Sequence, residues 1–559
     1  MSAPPAPEQR QAATHRGRIV DLTERRVFAG IVEVVDGRIA AVREDGAVAE
    51  RSFLCPGFVD AHVHIESSLL SPPEFARIAA IHGTVATVSD PHEIANVLGV
   101  EGVRHMQRLA AGSACKIHLG IPSCVPATGF ETAGAAIGAD EVAELCADPS
   151  LLFLAEVMNV PGVIGRDPEV VRKLEIAARH GKRIDGHAPG LRGAGLAAYV
   201  AAGIETDHEC SQLDEAQEKV ALGQKILIRE GSAARNFEDL WPLLAERPER
   251  CMLCSDDKHA DDLLEGHIDR LCARAVARGV DVFDVLRAAC RNPVEHYGLH
   301  SGLLRPGDPA DFIRLRDLES FEVEQTWIDG TCVAHAGKSL VAPSGSLRLD
   351  VCRATPKSAE DFAVPAGVGR IRVIEVADGQ IITRAGEADA MLRQGFAVAD
   401  PARDLLKVAV VNRYEDRPPA VAFVRGFGLR QGAIASSVAH DSHNFVAVGA
   451  SDEELARAVN LLVACRGGLA AVGGTLEKVL ALPVAGLMSD ASAEEVAGAH
   501  ADLTRAAREL GSTLCAPFMA LSFLALLVIP ALKLSDRGLF DATAFAFVPL
   551  FTGDQPQVP

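Results

Sequence analysis

The chain has 559 residues, 48% of them hydrophobic and 23% charged, with a formal net charge of −20. That length leaves room for two to four domains with ample core material. The negative charge argues against nucleic acid as a main partner, because binding there rests on basic groups that neutralise phosphate.

Thirteen cysteines fall at irregular spacings, and the N-terminus "MSAPPAPEQRQAATHRGR" has no apolar stretch of the secretory type. Reduced thiols and a cytoplasmic location are the expectation. Residues 1 to 17 are rich in proline, alanine and glutamine and are expected to be disordered. From 18 to 55 short apolar stretches alternate with polar ones and break at Asp36-Gly37, the signature of a two-residue hairpin.

The rhythm changes from 56 to 301. Eight short apolar stretches begin at residues 57, 84, 116, 151, 183, 203, 225 and 251, with helical patterns between most of them. In "DPEVVRKLEIAARHG" Asp167 is placed to cap the helix, Pro168 to open it and Gly181 to end it. Ser211 is expected to cap the helix of "SQLDEAQEKVALG". Eight strands alternating with helices over about 240 residues fit a (β/α)8 barrel of the TIM type.

Residues 302 to 345 return to short β stretches and are expected to rejoin the 18–55 segment in a small β-sandwich unit built from both flanks. From 346 to 559 strands such as "LLKVAVVNRY" and "FVAVGAS" mix with helices such as "DEELARAVNLLVAC", an additional C-terminal α+β domain. The stretch Leu514 to Leu532 nears the length of a membrane span, roughly 20 residues. Pro517 and Pro530 interrupt it, so it reads as a buried core segment, and no membrane partner is expected. The overall class is α/β.

Residues i and i+2 of a strand share a face, so His62 and His64 project together from the first barrel strand. The end of that strand lies at the C-terminal mouth, where barrels carry their active sites. An H-x-H alone is a weak signal, since core or solvated histidines explain most such pairs. The other strand ends strengthen it: Glu156 on strand four, His187 on five, His208 on six and Asp256 on eight. Polar groups gathered there would be costly in a barrel built only for packing.

The count suits two divalent ions. His62 and His64 would hold one and His187 and His208 the other, with Glu156 bridging and Asp256 touching one of them. Nitrogen and oxygen ligands without thiolate fit Mn2+, the favoured ion, or Fe2+ or Zn2+. Such a site yields hydroxide from water near neutral pH, with Asp256 as proton acceptor and later donor.

These residues and motifs carry a resemblance. "PGFVDAHVHIESS", "GHAPG", "TDHE", "CSDD", "NPVEHYGL" and "GLLRPGDPADF" are similar to the amidohydrolase superfamily. "SDPHEIANVLG", "EVMNVPGVI", "TDHECSQLDEAQEK", "IREGSAARN", "SDDKHADDLL", "GAIASSVAHDSHNFVAVG" and "LSFLALLVIPALKL" narrow it to the adenine deaminase family. The resemblance covers nearly the whole chain after residue 18. It implies a dinuclear metal site and hydrolysis of adenine to hypoxanthine and ammonia in purine salvage. It makes His62, His64, Glu156, His187 and His208 metal ligands and Asp256 the catalytic acid/base. Many superfamily relatives bridge their metals with a carbamylated lysine on strand four; "LLFLAEV" has none and offers Glu156.

Such a reaction needs a second carboxyl group to protonate the purine ring. Glu209 requires a turn after His208 to face the site, and Glu93 and Glu66 compete with it. Asp90, His92 and Glu93 follow strand two at the mouth and are candidates for substrate binding or metal support, as is Glu66. Asp257 is expected to face away from Asp256 and cap the next helix; Lys258 and His259 could contact the purine or lie in solvent. "HDSHN" at His440 to Asn444 could bind a separate ion, or be a surface turn or a lid reaching the barrel.

Three other readings bear on function. A zinc nucleoside-type deaminase needs H-x-E and P-C-x-x-C; no proline precedes Cys251, and the eight-strand rhythm has no place there. An amidohydrolase acting on a cyclic amide or imide would share the barrel and metals. A non-catalytic barrel used for binding would not need the ligand set. The small-molecule purine is the expected partner, and a homodimer the expected assembly.

Overall fold

The computed structural model describes residues 12–343, 345 and 348–553. Eight parallel strands form the centre: β1 (Phe58–Val63), β2 (Thr84–Ser89), β3 (Lys116–Ile121), β4 (Leu151–Val157), β5 (Arg183–Gly186), β6 (Thr206–Asp207), β7 (Lys225–Arg229) and β8 (Cys251–Cys254). β1 to β5 hydrogen-bond in order, as do β6 to β8. The two runs meet where the Glu205 amide donates to the Ile184 carbonyl at 2.9 Å, and the ring closes where the Asp256 amide donates to the His62 carbonyl at 2.9 Å. Every residue of β1 and β2 is buried, as parallel strands covered on both faces require.

Helices punctuate the strands largely as the sequence predicts. Asp167 accepts from the Glu169 and Val170 amides and caps Pro168–Arg179. Ser211 does not cap the following helix, Leu213–Ala221, whose N-cap is Gln212; the Ser211 amide instead donates to Glu215. The chain stays extended one residue longer than expected because Glu215, inside the helix, folds back onto it.

Both flanks of the barrel join one eight-stranded sheet. The strands Ala12–Asp21, Arg26–Val35, Arg38–Glu44 and Phe53–Pro56 continue through Phe312–Leu315, Val323–Ile328, Thr331–His335 and Lys338–Ser339. Ile19, Val32 and Leu54 share a core with Phe312 and Trp327. Asp36 and Gly37 both have positive φ, 51° and 75°, which a two-residue hairpin turn demands. Residues 12–17, expected to be disordered, belong to the first strand because they pair with Gly30–Val35; residues 1–11 lie outside the described residues.

The C-terminal region is built on a second eight-stranded sheet, including Leu406–Val411, Ala433–Ser436, Phe445–Gly449 and Gly468–Gly473. Helix Asp452–Cys465 lays Leu455, Val459 and Leu462 on Ala433, Ala447 and Ala470. The apolar stretch 514–532 breaks into a helix Pro517–Ser522, a single turn Phe523–Ala525 and the start of a strand, Leu532–Ser535. No helix among the described residues is long and apolar enough to cross a membrane.

Candidate metal centre

The imidazoles and carboxylates at the strand ends converge. His62 points inward from β1, and its Nε2 lies 3.1 Å from Nε2 of His64. One Glu156 oxygen stands 3.2 Å from His64 Nε2 and 3.2 Å from His92 Nδ1. Its other oxygen stands 2.7 Å from His187 Nδ1 and 3.1 Å from His208 Nε2. Asp256 Oδ1 lies 3.4 Å from His64 Nε2 and 3.6 Å from His62 Nε2. All seven side chains are buried.

This donor set fits divalent cations. Facing Nε2 atoms gain nothing from each other unless a proton or a cation lies between them, and one carboxylate with one oxygen toward His64 and His92 and the other toward His187 and His208 has the form of a bridge. Three further groups of ligand-type atoms adjoin it, one containing Asp90 and His92, one Glu209, and one His92, Glu93 and Asp441. Burial opposes ionisation of Glu156, and His187 with the other histidines outweighs it, holding its pKa well below the usual carboxylate range.

Arg229, the last residue of β7, is a site residue without an assigned role in the sequence reading. Its guanidinium binds both oxygens of Glu209, one at 3.0 Å, and also Asp256. Burial opposes ionisation of Asp256, and Arg229 with His64, His208 and His62 overcomes it, so the carboxyl stays charged far below its ordinary pKa.

Glu209 reaches the site through the expected turn: β6 ends at Asp207, whose Oδ1 accepts the Glu209 amide at 2.8 Å. Asp257 corrects the alternation argument. β8 ends at Cys254 and Asp256 has φ 54°, a left-handed turn that aspartate tolerates. Both aspartates therefore line the same cavity. Asp257 accepts from the Ser67 hydroxyl at 2.5 Å and caps no helix; His259 is the N-cap of Ala260–Glu265.

The remaining predicted residues divide. Asp90 bonds His92 Nδ1 at 3.0 Å and fixes that ring beside Glu156. Glu93 is gripped at one oxygen by His440 Nδ1 and at the other by His443 Nε2. The His440–Asn444 segment is thus neither a surface turn nor isolated: it reaches the barrel. Glu66 accepts the Ile94 amide at 3.2 Å and is not among the groups lining the cavity; burial pushes its pKa up to about 7. His259 is held by the Ser67 carbonyl and packs at a tilt against His500, ring centroids 4.4 Å apart, while Lys258 lines a separate surface cleft.

Phe523, Leu526 and Ile529 of the C-terminal apolar stretch, with Ile381 and Met158, form the cavity's apolar wall. The sequence shows this stretch as core, and its position over the metal cluster is a tertiary fact that no local pattern carries.

A closed eight-stranded barrel with buried histidines and carboxylates at its C-terminal mouth defines a metal-dependent hydrolase of the amidohydrolase superfamily. The sequence model of the Amidohydrolase family matches residues 53–333, and that of the Adenine deaminase C-terminal domain matches residues 380–546. An adenine deaminase of Salinibacter ruber is 56% identical over 540 residues, covering 96% of this chain and 98% of the relative. One of Methanosarcina barkeri is 50% identical over 552 residues, covering 97% and 100%, and one of Borreliella burgdorferi 43% over 537, covering 95% and 98%. The chain belongs to the adenine deaminase family.

Proposed function

We propose that the protein hydrolyses adenine to hypoxanthine and ammonia. The observation that carries this reading is Asp256: it stands against the four-histidine and Glu156 cluster on one side and Arg229 on the other. Two divalent cations, Mn2+ by preference, held by His62, His64, Glu156, His187, His208 and Asp256, would supply a water that ionises near neutral pH.

Asp256 accepts the proton of the water that adds to C6 of the purine and later gives a proton to the departing amine. Arg229 and the neighbouring histidines, set against burial, hold its carboxyl ionised before attack. Glu209, which shares the Arg229 guanidinium with Asp256 and lies 3.5 Å from His208 Nε2, is the carboxylate placed to relay a proton taken up from water to the ring nitrogen. Glu93, bound at both oxygens by histidines, fixes the junction with the C-terminal domain, and Asp90 orients His92. Phe523, Leu526 and Ile529 exclude water and offer apolar faces to the base.

The thirteen cysteines are free, which suits the reducing cytoplasm, and a homodimer is part of the same reading. The test is ammonia release from adenine, adenosine, guanine and cytosine with bound metal quantified alongside. Adenine should be strongly preferred. Turnover of a cyclic amide in its place, or of none of the four, would reject the reading.

A further inference from the structure

Six carboxylates line the cavity: Glu93, Glu156, Glu209, Asp256, Asp257 and Asp441. Five are engaged. Glu93 is bound by His440 and His443, Glu156 by His187, Glu209 and Asp256 by Arg229, and Asp257 by Ser67. Asp441 differs. It is 2% exposed, its Oδ1 lies 3.7 Å from His92 Nε2, and its Oδ2 has no hydrogen-bond partner among the described residues. A buried carboxylate oxygen without a donor is costly, and a ligand that supplies the donor offsets that cost.

The group is also held in place. His440 beside it and His443 two residues on both bind Glu93, and the His440 ring stacks on Phe523 with centroids 4.8 Å apart. His92 links Asp441 to the metal cluster, since its Nδ1 lies 3.2 Å from Glu156 and its Nε2 3.7 Å from Asp441. Asp441 thus stands one imidazole's width from Glu156 and lines the same cavity, so a base lying beside the His92 ring can reach from one to the other. A free purine base carries an N–H on its imidazole ring, remote from the water that attacks C6; an N9-substituted purine carries none.

We propose that Asp441 accepts the imidazole-ring N–H of the bound base and so selects free adenine over N9-substituted adenines. This rests on the adenine reading above. With an N9-alkyl purine the carboxylate would face an alkyl group and a ring lone pair and stay unpaired, the situation in which a polar site discriminates most strongly.

The holoenzyme should turn over adenine with a kcat/KM at least about 1,000-fold above that for 9-methyladenine. In Asp441→Asn, kcat/KM for adenine should fall by about 10–100-fold, mainly through KM, as loss of a charged hydrogen bond implies. The preference over 9-methyladenine should narrow by at least about 10-fold, with metal content unchanged. An unchanged preference, or a loss of metal that assigns Asp441 to ion binding, would overturn the proposal.

Calorimetry on the wild-type holoenzyme reads the same contact without turnover or a variant: purine should bind at least about 10-fold more tightly than 9-methylpurine, and equal affinity would overturn it. Tight purine binding with no ammonia from adenine would reject the deaminase reading and leave the contact standing. Adenine turnover with equal binding of the two purines would do the reverse.

Discussion

The mouth of the barrel and the segment around His440 supply the same kinds of side chain to one cavity, yet they are built differently. At the mouth, the position of each group follows from a strand: His62, His64, Glu156, His187 and His208 lie at or just past strand ends whose neighbours hydrogen-bond in sequence order. The His440 segment arrives from a separate sheet and meets Glu93 across 347 residues of chain. The first arrangement is rigid by construction, because backbone pairing sets the donor positions before any ion binds. The second depends on the docking of two cores, and its ion pairs hold that docking. Metal chemistry is expected to depend on the first region and substrate selection on the second.

The largest expected effect falls at the mouth. Asp256→Asn should retain its metals and lose turnover by about 1,000-fold or more, the upper range for removal of a general acid/base; kcat with metal analysis checks both halves, and a near-normal rate would end the assignment. Glu156→Gln should release metal into a chelator more readily than wild type, because a neutral amide bridges two cations poorly; equal retention would count against bridging.

Arg229→Met leaves Glu209 and Asp256 buried without their guanidinium. Breaking such a pair costs about 3–5 kcal/mol, so thermal unfolding should move to clearly lower temperature and kcat should drop as well. An unshifted transition would show that the two carboxylates find other partners.

The smallest effect probes the junction. Burial disfavours the charged form of His440, but Glu93, with Asp257 and Asp441, outweighs it and raises the pKa from 6.5 to about 9. The folded state thus favours the charged ring. Its contribution is full below pH 6.5 and is lost as pH rises through about 9. The stability difference between wild type and His440→Gln should shrink over that window, as measured by denaturant unfolding at fixed metal concentration. A difference flat in pH would mean that the His440–Glu93 contact carries no charge.

The same contrast explains what could be read from the chain. The eight strands and the six inward side chains of ligand type follow from periods of two and from the positions of strand ends, which are local. Arg229 carried a readable signal: it ends the seventh strand, at a mouth position otherwise left without a role. Asp257 was misplaced because alternation stops where the strand stops, at Cys254, and the left-handed Asp256 turns both aspartates inward. The apolar wall of Phe523, Leu526 and Ile529 looks like any core segment, and the grip of His440 and His443 on Glu93 has no local sequence signature; both arise from packing between domains.

The central claim is that this cluster, loaded with two cations, drives adenine deamination. Titrating Mn2+ into chelated, metal-free protein while recording ammonia release from adenine tests it most directly. Activity should start near zero and rise to a plateau at about two ions per chain, as a two-metal site requires. Full activity in the metal-free protein, or a plateau at a single ion, would contradict the account.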